Sequence, residues 1–433
     1  MPRLLHEKRR RLSSKGLKAP DMQRNRNLSG CQIFKATDLP VGWDCVPIGD
    51  RIELAYGRAL REGDRKSGYV DVYGSNGRIG THSVALVNGP GVLVGRKGTV
   101  GAVHFAEHSF WAIDTVYYVV PRGKDDIRYL HHLLEYLPLG FLNAATGVPG
   151  LSRRDAYALR GAFPSPGEQV AIARVLDAVN TALECTRATV EMARELRTSL
   201  IRELLERGIR NEQLRKASVG LLPASWDCKP LGEYLLDGPT NGVYRPQSDY
   251  VAHGTPIVRI DDFADGTIHN IGTLQRVKVE TVIERRYALE KQDILINRVN
   301  SLSHIGKAGL VPDLEQATIF ESNMMRLRCN PHLLPAFLVT VLCSDIARKH
   351  WLSRAKPAVN QASINQRDVR ELLIPVPEPD EQRDIALIVS SANRQIEAML
   401  AVADGYHRLK RSLLADLLTG RVRVGGLAEV THQ

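Results

Sequence analysis

The chain has 433 residues, 43% hydrophobic and 24% charged, an ordinary globular composition with room for two to four domains of roughly 100–200 residues each. It contains no run of the ~18 apolar residues that a membrane span requires, and no apolar segment follows the basic N-terminus, so neither a membrane protein nor a secreted one is expected. The net charge of +10 invites a nucleic-acid partner, but residues 1–38 hold ten Lys/Arg against three Asp/Glu, so most of that excess sits in one tail.

Residues 1–38, with Lys8, Arg9, Arg10, Arg11, Lys15 and Lys18, read as a flexible basic extension that could meet phosphate but more simply aids solubility. Six cysteines stand at 31, 45, 185, 228, 329 and 343 with no CxxC pair. This spacing fits reduced thiols better than a disulfide framework or a zinc site.

From residue 39 the chain is built twice. LPVGWDCVPIGD at 39–50 returns as LPASWDCKPLGE at 222–233, an offset of 183. LSRRD at 151–155 answers INQRD at 364–368, and the long segment from Phe163 returns from Val376, both with an offset of 213. The second copy therefore holds about 30 more residues between shared flanks. The pattern predicts a first head over 39–162, a spacer helix over 163–210, a second head over 211–375, a second helix over 376–424, and a tail over 425–433.

In the first head, short β-branched runs separated by Gly, Asn and Pro predict an irregular β-rich α/β domain, with a helix over 125–137. The first long segment then places Ile172, Leu176, Val179, Leu183, Thr186, Val190, Ala193, Leu200 and Leu204 at alternating three- and four-residue steps, broken at Arg197. Adding 213 gives Ile385, Val389, Ala392, Ile396, Met399, Ala403, Tyr406, Leu413 and Leu417. Such a sustained heptad predicts two rods about 60 Å long that pair with each other. Each rod follows a Pro-x-Pro stop, carries an acid in its first turn (Glu168, Glu381), and ends near a glycine (Gly208, Gly420).

The second head echoes the first. Val92-Leu93-Val94-Gly95-Arg96 aligns with Ile294-Leu295-Ile296-Asn297-Arg298 at an offset of 202, each triplet leading into a glycine-bearing loop. A helical segment is expected over 332–352. The string GRKGTVG at 95–101 has the wrong spacing for a dinucleotide fingerprint and reads as a turn. No Walker loop, HExxH, GxSxG or base-flipping methyltransferase tetrapeptide is present. Adjacent His131 and His132 point apart on a helix and read as structural. The residues themselves leave three classes open: a non-catalytic DNA reader, an enzyme with unrecognised motifs, and a coiled-coil scaffold without nucleic acid.

The doubled order of these motifs resembles the specificity subunit of a type I restriction–modification system. The resemblance rests on Leu39-Pro40 with Trp43 and Pro47, Leu222-Pro223 with Trp226 and Pro230, Glu168-Gln169 and Glu381-Gln382, and on the head phrases YGSNGRIG, VLVGRKGTVGAV and DILINRVNS. It spans about 39–424; the basic extension has no counterpart in the pattern. The expected fold is α/β (α+β), two β-rich target recognition domains separated by two long helices that form an antiparallel coiled coil, with an internal pseudo-two-fold repeat. The resemblance implies a subunit that is no enzyme by itself. Each head reads one half of a bipartite, asymmetric double-stranded DNA target. The helices set the gap and dock two methyltransferase (modification) subunits, alongside motor/endonuclease (restriction) subunits. S-adenosylmethionine, ATP and Mg²⁺ are expected on those partners and none in this chain, in the cytoplasm. A related subunit of another modification or defence complex is the alternative.

The loops after the shared strands supply the expected DNA-facing residues: Asn76, Arg78, Arg96, Lys97 and Thr99 in the first head, and Arg245, Arg259, Asn297, Arg298, Asn300, Ser301 and Lys307 in the second. Arg suits bidentate contact with guanine, Asn with adenine, and Lys or Thr with phosphate. For the coiled coil and partner docking the expected residues are Leu176, Leu183, Val190, Leu200, Leu204, Val389, Ile396, Leu413 and Leu417. Trp43 and Trp226 are expected to seat head on helix.

Overall fold

The computed structural model describes residues 34–142, 150–269, 271–358 and 361–424. The chain forms two compact units: residues up to Leu183 together with those from Gly405 onward, and Glu184–Asp404. Each unit thus holds one head, one end of the first long helix (Pro166–Arg207) and one end of the second (Pro379–Leu418).

In the first unit, an antiparallel pair closes the head at its base, joining Asp44–Pro47 to Arg160–Phe163. Above it lies a four-stranded antiparallel sheet in the order Ile52–Tyr56, Val116–Pro121, Gly91–Gly95, Val103–Ala106. A smaller sheet holds the hairpin Val70–Gly74 and Gly77–His82, with Phe110–Ala112 added in parallel. The helix Ile127–Tyr136 is capped by Asp126, whose carboxylate accepts from the N–H groups of Arg128 and Tyr129.

The second unit repeats this plan. Asp227–Pro230 pairs with Leu373–Val376 at the base. The main sheet runs Leu235–Asn241, Met324–Cys329, Ile294–Asn297, Ala308–Leu310, the same order as in the first head, and continues with Gly266–Ile268 and Phe263–Ala264. Offsets of 183 at the entrance, 202 at the apolar triplets and 213 at the exit place most of the extra residues before Ile294, where these added strands and the short helix Thr281–Tyr287 arise. The expected helix over 332–352 is two, Pro335–Leu342 and Asp345–Arg354, because the first ends at Cys343 and Ser344 caps the second, its hydroxyl accepting the Ile346 N–H.

The two cores use the long helices identically. Ile172, Ala173 and Leu176 join Leu414, Leu417 and Leu418 in the first head's core. Ile385, Ala386 and Val389 join Ile201, Leu204 and Leu205 in the second's. Every position in one set is its counterpart in the other shifted by 213. In each unit the beginning of one helix meets the end of the other, as in an antiparallel coiled coil. The expected stripe needs one correction: Leu200 and Leu413 are only half-buried, while the neighbouring Ile201 and Leu205, Leu414 and Leu418 are buried. Beyond Arg197 the stripe drifts toward the true 3.6-residue period and wedges into the heads.

The docking expectation is corrected as well. Leu176, Leu183, Val190, Leu204, Val389, Ile396 and Leu417 are buried inside the chain. The apolar residues the long helices expose are others, among them Met192, Leu196, Leu387, Val402 and Leu409. By length and mean hydropathy (1.2 over its most apolar stretch) the helix Pro379–Leu418 could cross a membrane, although it holds no unbroken apolar run of spanning length. Its Ile385, Ala386 and Val389 at one end and Leu414, Leu417 and Leu418 at the other pack in the protein's own cores.

The basic extension is shorter than expected. Phe34 is buried in the first head against Tyr136, and Ala36–Asp38 form a helical turn; residues 1–33 lie outside the described residues. Cys45, Cys185, Cys228, Cys329 and Cys343 are free thiols.

Candidate nucleic-acid interface

Each head is fixed to the helices by the same joint. Trp43 Nε1 donates to Glu168 Oε2 at 3.1 Å, and Trp226 Nε1 donates to Glu381 Oε2 at 3.1 Å. Arg423 grips Glu168 at 2.6 and 2.9 Å, and Arg210 lies 3.7 Å from Glu381; the two arginines are 213 residues apart, as are the two glutamates. The neighbouring Gln169 and Gln382 do equivalent work. Their amide nitrogens donate to the carbonyls of Pro164 and Pro377, and their oxygens accept from the N–H groups of Asp126 and Leu334, which introduce the head helices. Gly208 and Gly420 turn the chain out of each helix at φ +62° and +69°.

On this frame the first head gathers its expected residues around two loops. Asn76 is exposed at the Ser75–Asn76 tip of the hairpin. A Cβ on Gly98 would stand 3.1 Å from Ser75 Oγ, so this tip adjoins the loop carrying exposed Lys97 and Thr99. Arg78 is exposed and pairs with Asp71 at 2.5 Å. Arg96 is held otherwise: it donates to the Asp114 carbonyl at 3.1 Å and stacks 4.8 Å above the Tyr56 ring. Arg153 covers the same ring at 4.4 Å. Beneath them the buried Tyr117 phenol is pushed above its ordinary pKa by burial and by the Tyr56 hydroxyl, against the pull of the two arginines.

Arg298 repeats the role of Arg96, donating to the Ser322 carbonyl at 3.1 Å. The carbonyls of Arg96 and Arg298 each accept at 2.9 Å from Leu151 and Ile364, which are again 213 apart. This pair therefore shapes the loops. Asn297 is fully buried at the end of its strand and faces no solvent. Arg259 lies 3.6 Å from Glu321 and donates to Gln275, and Arg245 lies 3.6 Å from Asp249, so both are engaged within the head. Val299–Asn300 is strand-paired with Ala362 and Ser363. Ser301 Oγ lies 3.0 Å from His304 Nδ1, and Lys307 lies 5.2 Å above the Phe263 ring. Thus Arg259 and Arg298 gather around Glu321–Ser322, while Asn300, Ser301 and Lys307 belong to the following loop. Sequence reading missed Tyr56, Arg153, Arg210 and Arg423. The equal spacing of the last two from the repeated flanks was the one available signal.

His131 and His132 do not point apart: their rings are 4.9 Å apart. His132 is fully buried and its Nε2 lies 2.8 Å from Asp177, a structural role as expected. Among the described residues no group of His, Cys, Asp and Glu is placed to hold a metal ion.

Two alike frames bearing unlike loops define a two-headed recognition protein. Residues 40–191 and 243–400 match the type I restriction modification DNA specificity domain, and the chain belongs to that family. It is 23% identical over 411 residues to the type I restriction enzyme MjaVIII specificity subunit of Methanocaldococcus jannaschii, covering 90% of this chain and 95% of that one. It is 29% identical over 214 residues to a MjaX specificity subunit of the same organism, 48% of this chain, and so spans about half that relative (49%). Its fold is that of the type I restriction–modification S subunit from M. genitalium, with a TM-score of 0.56 at 17% identity over 89% of this chain and 98% of that one.

Proposed function

We propose that this chain is the DNA sequence-specificity subunit of a type I restriction–modification complex and catalyses nothing itself. Each head reads one half of a bipartite, asymmetric target, with Asn76, Lys97 and Thr99 the foremost candidates in the first head and Asn300, Ser301 and Lys307 in the second. Two methyltransferase subunits dock on the long helices, using exposed side chains such as Met192, Leu196, Leu387 and Val402 rather than the buried stripe. S-adenosylmethionine sits on those subunits, and ATP and Mg²⁺ on the motor/endonuclease subunits, in the cytoplasm. The observation that carries this reading is the repeated Trp–Glu–Arg joint beneath heads whose loops differ. A frame kept while the loops diverge suits exchangeable half-site recognition.

The test is single-molecule methylome sequencing of the native host with and without this gene. A split methyladenine motif that disappears on deletion supports the reading; an unchanged methylome overturns it.

A further inference from the structure

The apolar series on the two long helices is interrupted at one equivalent place, Arg197 and Lys410, 213 residues apart. Neither cation is a solvated surface group: their side chains are 11% and 15% exposed. Both leave the helix pair and reach a carboxylate of the adjoining head. Arg197 binds Asp265 at 2.7 Å and donates to Asn393 on the other helix at 3.1 Å. Lys410 binds Glu135 at 2.6 Å. The carboxylates come from unrelated elements, a tight turn at Asp265 (φ +55°) and the last turn of Ile127–Tyr136. The two heads have thus arrived at the same tie by different routes.

Apolar packing is non-directional and tolerates rotation of one surface on another, whereas a hydrogen-bonded ion pair between partly desolvated groups fixes an orientation. Buried polar groups in helix pairs are best attested in such a registering role. The surroundings of Arg197 strengthen the case. A cavity of about 280 Å³ opens beside it, lined by Asp265, Val339, Cys343, Val389 and Asn393 among others, so head and helices leave a gap at this point. Both ties sit in networks: Arg194 also pairs with Asp265, at 3.2 Å, while Glu135 also neighbours His132, and His132 and Arg128 both bind Asp177.

We propose that Arg197 and Lys410 are positioning residues that fix the angle of each head on the helix pair, and thereby the length of DNA gap accepted between the two half-sites. This rests on the reading of the chain as a bipartite DNA reader. Both are positioning residues, with no contact to DNA required of them.

The test uses the full chain assembled with its methyltransferase subunits. The duplexes carry the motif found by methylome sequencing, with the native gap or one base pair more or less. Arg197→Leu is combined with Asp265→Asn and Lys410→Leu with Glu135→Gln, so that no partly buried charge is left without its partner, the loss that destabilises a broken ion pair. The expected result is a Tm close to the native one with a loss of about tenfold in the ratio of native-gap to altered-gap methylation rates, a change of 1.4 kcal/mol. Arg197→Lys and Lys410→Arg should restore the ratio, and Asp265→Asn should mimic the loss from the head side. Unchanged gap discrimination in both leucine variants overturns the proposal. So does a uniform fall in all rates with a lowered Tm, which marks a merely structural role. If no split motif depends on this gene, the functional reading itself fails and the proposal falls with it.

Discussion

Trp226 Nε1 donates to Glu381 Oε2 at 3.1 Å inside the second unit, and Glu381 Oε1 accepts the Ile209 N–H at 3.0 Å where the first long helix ends. One carboxylate, 1% exposed, therefore ties the head, the start of one helix and the exit of the other. Removing it leaves an indole N–H and a backbone N–H buried without an acceptor. Glu381→Ala is expected to cost about 2–4 kcal/mol, read as a fall in the urea midpoint. Glu168→Ala should cost less, because the Glu168 carboxylate is 10% exposed against 1% for Glu381, so water can more readily take its place. Equal and negligible losses would show that apolar packing alone holds the joints.

The loop residues divide into supports and readers. Arg96 and Arg298 each clamp a carbonyl at 3.1 Å, so Arg96→Ala and Arg298→Ala are expected to lower Tm. Lys97→Ala and Asn76→Ala touch no such support and should leave Tm unchanged within about 0.5 kcal/mol. They should change the methylated motif in one half-site only, as read by methylome sequencing. A motif altered in both halves, or an Arg96 variant of native stability, would contradict this division.

Much of this frame was legible because it is doubled. The base strands, the helix ends and the two tryptophans recur at fixed offsets, and a heptad shows its buried side directly. The Glu–Gln pair was legible as a first-turn feature but not as a joint, since Arg423 lies 255 residues from Glu168 and no local pattern announces such a partner. The loop choices fared unevenly for a similar reason. Arg, Asn and Lys are equally the residues of DNA contact and of loop scaffolding, and only the partners of Arg96 and Arg259 and the burial of Asn297 separate the two. The interruption at Arg197 was visible, but its meaning depended on Asp265, brought near by tertiary folding.

Acid should weaken the first unit in a predictable window. Burial, and then the charge of His132, lower the His131 imidazole to about 4. Unfolding releases it to about 6.5, so the unfolded chain binds more protons and stability falls as pH drops from about 6.5 to 4. Although burial opposes it, Glu135 is held at about 2 by His132 and Lys410. Its contribution is present above the ordinary carboxylate range and is lost as pH falls toward 2. His132 acts with the opposite sign: burial opposes its charge, but Asp177 and Glu135 raise its pKa. Its contribution is full below about 6.5 and fades as pH rises through the folded value. Between pH 6.5 and 4.5 the His131 effect should dominate. Thermal melts over that range should show His131→Phe, placed beside Phe105, losing less stability than the native protein. Parallel curves would refute the assignment.

The charge distribution finally bears on affinity. Outside residues 1–38 the chain holds 48 Lys/Arg against 45 Asp/Glu, and many head arginines, including Arg259, Arg326 and Arg328, are engaged with head carboxylates. Little net positive charge is left to draw these domains onto phosphate, and the logarithm of affinity falls with log salt by about 0.9 per phosphate neutralised. The isolated chain is therefore expected to bind its target weakly, with a shallow salt dependence. Addition of the methyltransferase subunits should steepen the slope and bring affinity into the range of about 10⁻⁸–10⁻¹¹ M typical of specific complexes. Titrations at several salt concentrations, with and without those subunits, measure both quantities. Nanomolar specific binding by the chain alone at physiological salt would mean that the heads carry the recognition energy unaided.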